Sequence, residues 1–173
     1  MNSNKVDDFS LTQQGIYFVQ EKHPDSSLFN VGGYALLRGD INPVLLFEVI
    51  KQQLKSYDII KNRYNYFENN NFYDANIFDM QFVDYSKDNN SDSLCLDWMN
   101  SDITETFNPK FDLLKIRLLK SSDTHYYWYV KIHHVLFDGY SMRLFFNYVI
   151  KDYNERCKNI TSPVYRKVFK FSD

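Results

Sequence analysis

The sequence predicts an α+β fold, a two-layer sandwich with helices on one face of a mixed, mostly antiparallel sheet. Three observations carry that class. Segments of helical period are interspersed with short runs rich in aromatic and branched residues. Residues 124–132 alternate with period two, setting Tyr126, Trp128, Val130 and Ile132 against Tyr127, Tyr129 and Lys131. The turn Ser121-Ser122-Asp123 joins that run to an extended 113–119, which makes the two a strand pair.

In chain order, residues 11–21 carry Leu11, Ile16 and Tyr17 or Phe18 at helical spacing, and His23-Pro24-Asp25-Ser26-Ser27 stops the helix. Residues 31–38 form an apolar strand whose leading Gly32-Gly33 suggests a bulge. Asn42-Pro43 supplies an N-cap and a proline at the first helical position, after which Leu46, Val49, Ile50, Gln53 and Leu54 share one face. Residues 59–67, 72–77 and 80–83 are strand-like and separated by polar breaks such as Glu68-Asn69-Asn70-Asn71, suggesting a meander. Residues 91–100 are helical in outline, with Leu94, Trp98 and Met99. Beyond Asp138-Gly139, the residues Met142, Phe145, Phe146, Val149 and Tyr153 recur at three and four, with Ser141 near the start of an amphipathic helix. The tail, with Pro163, Tyr165, Val168, Phe169 and Phe171, reads as a strand, a docking arm or a connector, and the expected division is 1–160 for one lobe and 161–173 for a connector or tail.

The chain of 173 residues is 44% hydrophobic and 24% charged, enough apolar material for one domain or one large lobe. Its 20 Lys+Arg against 22 Asp+Glu, with no basic run, argue against a nucleic-acid partner, because tracking phosphates needs a concentrated basic face. Cys95 and Cys157 form no CxxC pair, so neither a disulfide framework nor a sulfur zinc site is expected. No stretch has the apolar length of a membrane span and the first residues lack the core of a signal peptide, so a cytoplasmic protein with no membrane partner is expected. Aromatics reach 18%, but Asn, Lys, Ile, Tyr and Phe are abundant together, which a coding bias explains.

The chemistry concentrates in His133-His134-Val135-Leu136-Phe137-Asp138-Gly139-Tyr140-Ser141, between the aromatic strand and the last helix. A strand end holds a side chain rigidly while the following loop stays open to a substrate. His134 shares parity with Val130 and Ile132 and is expected on the covered side of the sheet if the strand persists that far, with His133 facing the other way. A neutral imidazole there accepts a proton from an attacking amine or alcohol, or holds that nucleophile. Asp138 reads as a structural anion, fixing the loop through a cationic partner or backbone N–H groups, and glycine at 139 allows close approach. A metal site is disfavoured, since no HxxxH, CxxC or acidic cluster supplies a third ligand. A chance match to HHxxxDG in average composition is on the order of 10⁻⁴ to 10⁻³, so core or surface histidines are the weaker account.

HHxxxDG resembles the signature of the chloramphenicol acetyltransferase-like acyltransferases, and in particular the condensation domains of nonribosomal peptide synthetases. Phe9-Ser10-Leu11-Thr12-Gln13-Gln14-Gly15-Ile16-Tyr17 is similar to that family's N-terminal motif, with Gln13 as its glutamine and Tyr17 in place of the frequent tryptophan. His23-Pro24-Asp25-Ser26-Ser27-Leu28-Phe29-Asn30 is similar to the segment before its first strand. Residues 57–64 fall at its RHExLRTxF motif, where Tyr57-Asp58 stands for His-Glu and Lys61 for the arginine that braces the motif aspartate. Phe107, Asp112, Leu113 and Leu114 loosely match a further segment.

The resemblance implies a single lobe of a two-lobed enzyme, the N-terminal one, with 161–173 leading toward a missing C-terminal lobe. It implies an acyltransferase that forms an amide between a carrier-bound thioester donor and the amine of a carrier-bound acceptor. His134 is then the central catalytic residue, with His133, Asp138 and Gly139 supporting it, and Tyr17, Lys61 and Arg63 are lesser candidates for substrate contact. No bound cofactor is implied; the phosphopantetheine arm arrives on the partner, a peptidyl or aryl carrier protein. Two alternatives stand beside it: a trimeric acetyltransferase using acetyl-CoA, and an inactive carrier-docking module. A lobe cut from its partner exposes apolar surface through which it can self-associate.

Overall fold

The computed structural model describes residues 10–57, 79–107, 113–157 and 167–172. Helix α1 (Leu11–Lys22) starts at a reciprocal capping box, in which the Ser10 hydroxyl accepts from the Gln13 N–H and the Gln13 side chain accepts from the Ser10 N–H. Strand β1 (Asn30–Arg38) follows, then helix α2 (Pro43–Lys55), whose cap Asn42 accepts from the Leu45 N–H and whose buried face is Leu46, Val49, Ile50 and Leu54. Strand β2 (Asp79–Asp84), helix α3 (Ser91–Asp102), strands β3 (Leu114–Ser122) and β4 (His125–His133), helix α4 (Gly139–Arg156) and strand β5 (Lys167–Ser172) complete the order. The expected strands at 59–67 and 72–77 lie outside the described residues, whereas the third, at 80–83, falls within β2. Among the described residues no helix is long and apolar enough to cross a membrane.

The sheet has five strands in the order β2-β3-β4-β1-β5, with β2 parallel to β3 and every other neighbour antiparallel. This is the expected mixed, mostly antiparallel sheet. Of the three readings of the tail, the strand is what Lys167–Ser172 adopts, pairing with β1 at the sheet edge. Register places Asn30 opposite His133 and Leu114 opposite Ile132, so β4 ends between two neighbours that hold its last residues.

The main core lies on the face that α2 and α4 cover. Trp128 packs 4.4 Å from Phe146 and 5.8 Å from Phe145, ring centre to ring centre, and all three are fully buried. Burying each such side chain stabilises the fold by about 1.5–3 kcal/mol. The other face is not bare, which corrects the expectation of helices on one face only. There α3 lays Cys95 and Met99 on Leu119, Tyr127 and Tyr129, with Trp98 edge-on to Tyr129 at 5.6 Å. The reason is the composition of β4: apart from His125 its residues are buried on both parities, so neither side of the strand can face water.

Gly32 marks no bulge, since β1 pairs with β4 in unbroken register. A Cβ at Gly32 would run into the Ile103 side chain, so the glycine gives that residue, which follows α3, room against the sheet.

Candidate functional site at the end of strand β4

Strand β4 delivers His133 to the sheet end, and the chain turns over 134–136 before Asp138 caps α4. The turn is held by hydrogen bonds at each step. The His133 N–H donates to Leu113 O at 2.9 Å, the His134 N–H to Phe29 O at 2.8 Å, and the Leu136 N–H to His133 O at 2.9 Å. Gln13, the glutamine of the N-terminal motif, donates its Nε2–H to Val135 O at 2.9 Å. Two motifs 122 positions apart in sequence are thereby joined.

His133 is buried, with ring centres of Phe29 and Phe107 at 6.1 and 6.4 Å. Its Nδ1 accepts from the Val135 N–H at 3.2 Å, and its Nε2 lies 3.1 Å from Gln20 Oε1. Strand β4 stops at His133, one residue short, so strand parity does not set the direction of the His134 imidazole. It is half-buried, and among the described residues it has no hydrogen-bond partner.

Asp138 is the N-cap of α4, its Oδ1 accepting from the Ser141 N–H at 2.7 Å. That bond to Ser141 holds its carboxyl below the usual carboxylate range, with a smaller contribution from the charge of His134. Of the two anchors expected for Asp138, the described residues supply the backbone N–H, while Lys61, the cationic candidate, lies outside them. A Cβ at Gly139 would meet nothing within 4 Å, so the helix start lies open on that side.

Tyr17 lies one helical turn after Gln13, half-buried, with Phe18 edge-on at 6.3 Å. Lys61 and Arg63 lie outside the described residues, as does Asp58. Tyr57 sits 4.7 Å from the ring of Phe137 within the histidine loop, and burial pushes its hydroxyl pKa up. A cavity of about 220 Å³ lies alongside, lined by Val19, Gln20, His23, Ser26, Leu28 and Phe29. Among the described residues no cluster of three or more His, Cys, Asp or Glu side chains is gathered as a metal would require.

Sequence reasoning missed the ionic network beneath the site. Lys131, 1% exposed, donates to Asp102 O at 2.7 Å and Glu105 O at 3.0 Å, lies 3.3 Å from Asp102 Oδ2, and sits 4.7 Å above the ring of Phe107. Asp102 also pairs with Lys115 and accepts from the Tyr129 hydroxyl at 2.9 Å. Burial lowers the Lys131 pKa; for Lys115 burial is outweighed by Asp102, which raises it; burial and Asp102 push the Tyr129 hydroxyl far up. The network pins the segment after α3, and with it Phe107, against His133. The available signal was a lysine on the parity of Tyr127 and Tyr129 in a strand apolar on both sides.

The family model for the condensation domain matches residues 5–172, nearly the whole chain. The chain belongs to the condensation-domain family. Its relatives include a dimodular nonribosomal peptide synthase of Bacillus subtilis (strain 168), 24% identical over 160 residues, and the vanchrobactin synthetase VabF of Vibrio anguillarum, 28% identical over 154. These alignments take in 89% and 82% of this chain but only 7% and 5% of the relatives. Among solved structures, the starter condensation domain of the rhizomide synthetase RzmA matches with a TM-score of 0.72 at 20% identity, over 90% of this chain and 38% of that one. The first condensation domain of the calcium-dependent antibiotic synthetase, in complex with a substrate analogue, matches with a TM-score of 0.67 at 12% identity, over 90% and 39%. The chain is thus a condensation-domain portion with the chloramphenicol acetyltransferase-like fold, and it spans about two fifths of the condensation-domain chains it resembles.

Proposed function

We propose that residues 1–160 act as the N-terminal lobe of a condensation domain, and that 161–173, whose Lys167–Ser172 portion closes the sheet, lead on toward a C-terminal lobe. The completed enzyme joins an acyl group, held as a thioester on a carrier protein's phosphopantetheine arm, to the amine of an acceptor on a second carrier. The amine nitrogen bonds to the thioester carbonyl carbon, the C–S bond breaks, the arm leaves as its thiol, and the nitrogen loses a proton.

His134 carries the chemistry of that step, taking the proton or holding the amine in line. The observation behind this assignment is a half-buried imidazole without a partner among the described residues, on a backbone tied down on either side. His133 supports it from within the fold, Asp138 caps α4, and Gly139 leaves the helix start open. Tyr17, Lys61 and Arg63 are the lesser contacts. Exposed Phe18, Val19 and Leu28 beside the cavity are apolar surface of the kind a second lobe would cover, which also favours weak self-association of the lobe alone.

The test combines this chain with the remainder of a condensation domain and compares it with His134→Ala in transfer between loaded carrier proteins. Loss of product with carrier binding retained is the expected result, and undiminished transfer by the variant refutes the assignment. Light scattering on the chain alone should give a monomer or a concentration-dependent association; a concentration-independent trimer would instead favour an interfacial acetyltransferase.

A further inference from the structure

We propose that Gln20 is a positioning residue for His134, holding its backbone on both sides through one buried amide. The proposal rests on the reading of His134 as the working side chain, and it begins from the orientation of the Gln20 side chain. Gln20 is 2% exposed, and its Nε2 donates to His23 O at 2.9 Å and Ser26 O at 3.1 Å. Pro24 O stands at 3.5 Å. A flipped amide would set its oxygen against three carbonyl oxygens, so the amino group faces the 23–26 turn and Oε1 faces His133.

Two paths lead from there. In the first, Oε1 can only accept, which places a proton on His133 Nε2 and leaves Nδ1 free to accept from the Val135 N–H. That N–H belongs to the peptide immediately after His134. In the second, the amino group ties the turn at 23–26, whose chain runs on through Ser27, where its carbonyl accepts from the Asn30 N–H, to Phe29, whose carbonyl accepts from the His134 N–H. That N–H belongs to the peptide immediately before. With both flanking peptides held, the direction of the His134 side chain is set by its own rotamer alone, which is the preorganisation a reacting imidazole needs.

The two halves of the amide can be separated by substitution. Gln20→Glu keeps an acceptor for His133 and loses the donors to His23 and Ser26; Gln20→Met keeps the length and removes both. In this chain, amide hydrogen exchange should be faster at His134 and little changed at Val135 for Gln20→Glu, and faster at both for Gln20→Met, by roughly tenfold or more, the scale of a lost buried hydrogen bond. Exchange in β3 and β4 should stay as in the parent. Nitrogen-15 shifts of the unsubstituted protein should show the His133 proton on Nε2.

A proton on Nδ1 overturns the proposal whether or not the variants fold. Unchanged exchange at His134 and Val135 in Gln20→Met overturns it as well, and so does a loss of protection spread evenly over the sheet, which would make Gln20 a general stabiliser. None of these readouts depends on amide formation, so a catalytically silent His134→Ala in the completed domain would leave the exchange pattern standing while the functional assignment fell.

Discussion

Asp102→Asn should destabilise the protein far more than Lys131→Met, although the two side chains face each other. Asp102 is the shared anion of Lys131, Lys115 and Tyr129. Removing its charge leaves the Lys131 ammonium, 1% exposed, with carbonyl oxygens but no counterion. Breaking a buried pair in this way costs about 3–5 kcal/mol. At about 2–4 °C per kcal/mol for a chain of this size, the Tm falls by about 6–20 °C.

The reverse change orphans much less. Without Lys131, Asp102 keeps Lys115 and Tyr129, Glu105 O keeps the Asn30 amide at 2.8 Å, and Asp102 O keeps the Glu105 N–H at 3.0 Å, so each acceptor retains a partner. The cost is that of the hydrogen bonds lost with the ammonium, about 1–3 kcal/mol.

The variant should also show a pH signature. Burial lowers the Lys131 pKa in the folded state below its unfolded 10.5, so between the two values the unfolded chain binds more protons and stability rises with pH. Losing the Asp102 charge lowers the folded value further, which extends that window downward. The deficit of Asp102→Asn should therefore shrink as pH rises toward 10.5. Thermal unfolding followed by circular dichroism at several pH values measures both effects. Equal costs for the two substitutions, or a deficit independent of pH, would refute the account of Asp102 as the anion that keeps Lys131 buried.

Asp138→Ala should cost about 1 kcal/mol at neutral pH through loss of the α4 cap. Because the folded pKa of Asp138 is lowered from 3.8, chiefly by its bond to Ser141, the contribution is present above that value and fades as pH falls through the lower folded one. Chemical denaturation at about pH 7 and pH 3 should then show the parent and variant converging in acid. The Cys95 thiol, pushed up to about 11 by burial and then by Asp92, should resist iodoacetamide at about pH 8 in the folded protein and react once denaturant is added. Prompt alkylation of native protein at Cys95 would show that α3 does not seal the second face.

Much of the architecture was legible in local pattern. Asn42-Pro43 starts α2 where a cap and a fixed φ require it, and the turn at 121–124 joins β3 to β4. The run from Met142 to Tyr153 is the buried face of α4. The alternation in β4 separated its two faces correctly, but hydrophobic period alone did not say that α3 would cover the second one, because Tyr and Trp serve equally on a wet surface and in a core. At Gly32 the sequence offered a bulge, whereas the close approach of Ile103 explains the glycine, a contact 71 residues away that no local pattern encodes.

For the site, residue identity and order were enough to single out His133, His134, Asp138 and Gly139, since the motif is contiguous and its chemistry lies in the side-chain types themselves. The sequence likewise determined the family resemblance and the role of Gln13 as a motif residue. Tertiary structure alone decided which histidine is buried, because β4 ends at His133 and strand parity stops with it. It also decided that Gln13 and Gln20 grip the loop from α1 and that Lys131 anchors the segment carrying Phe107. Those roles depend on hydrogen bonds between residues far apart in sequence, and a hydrogen bond is set by distance and direction, which composition and period do not contain.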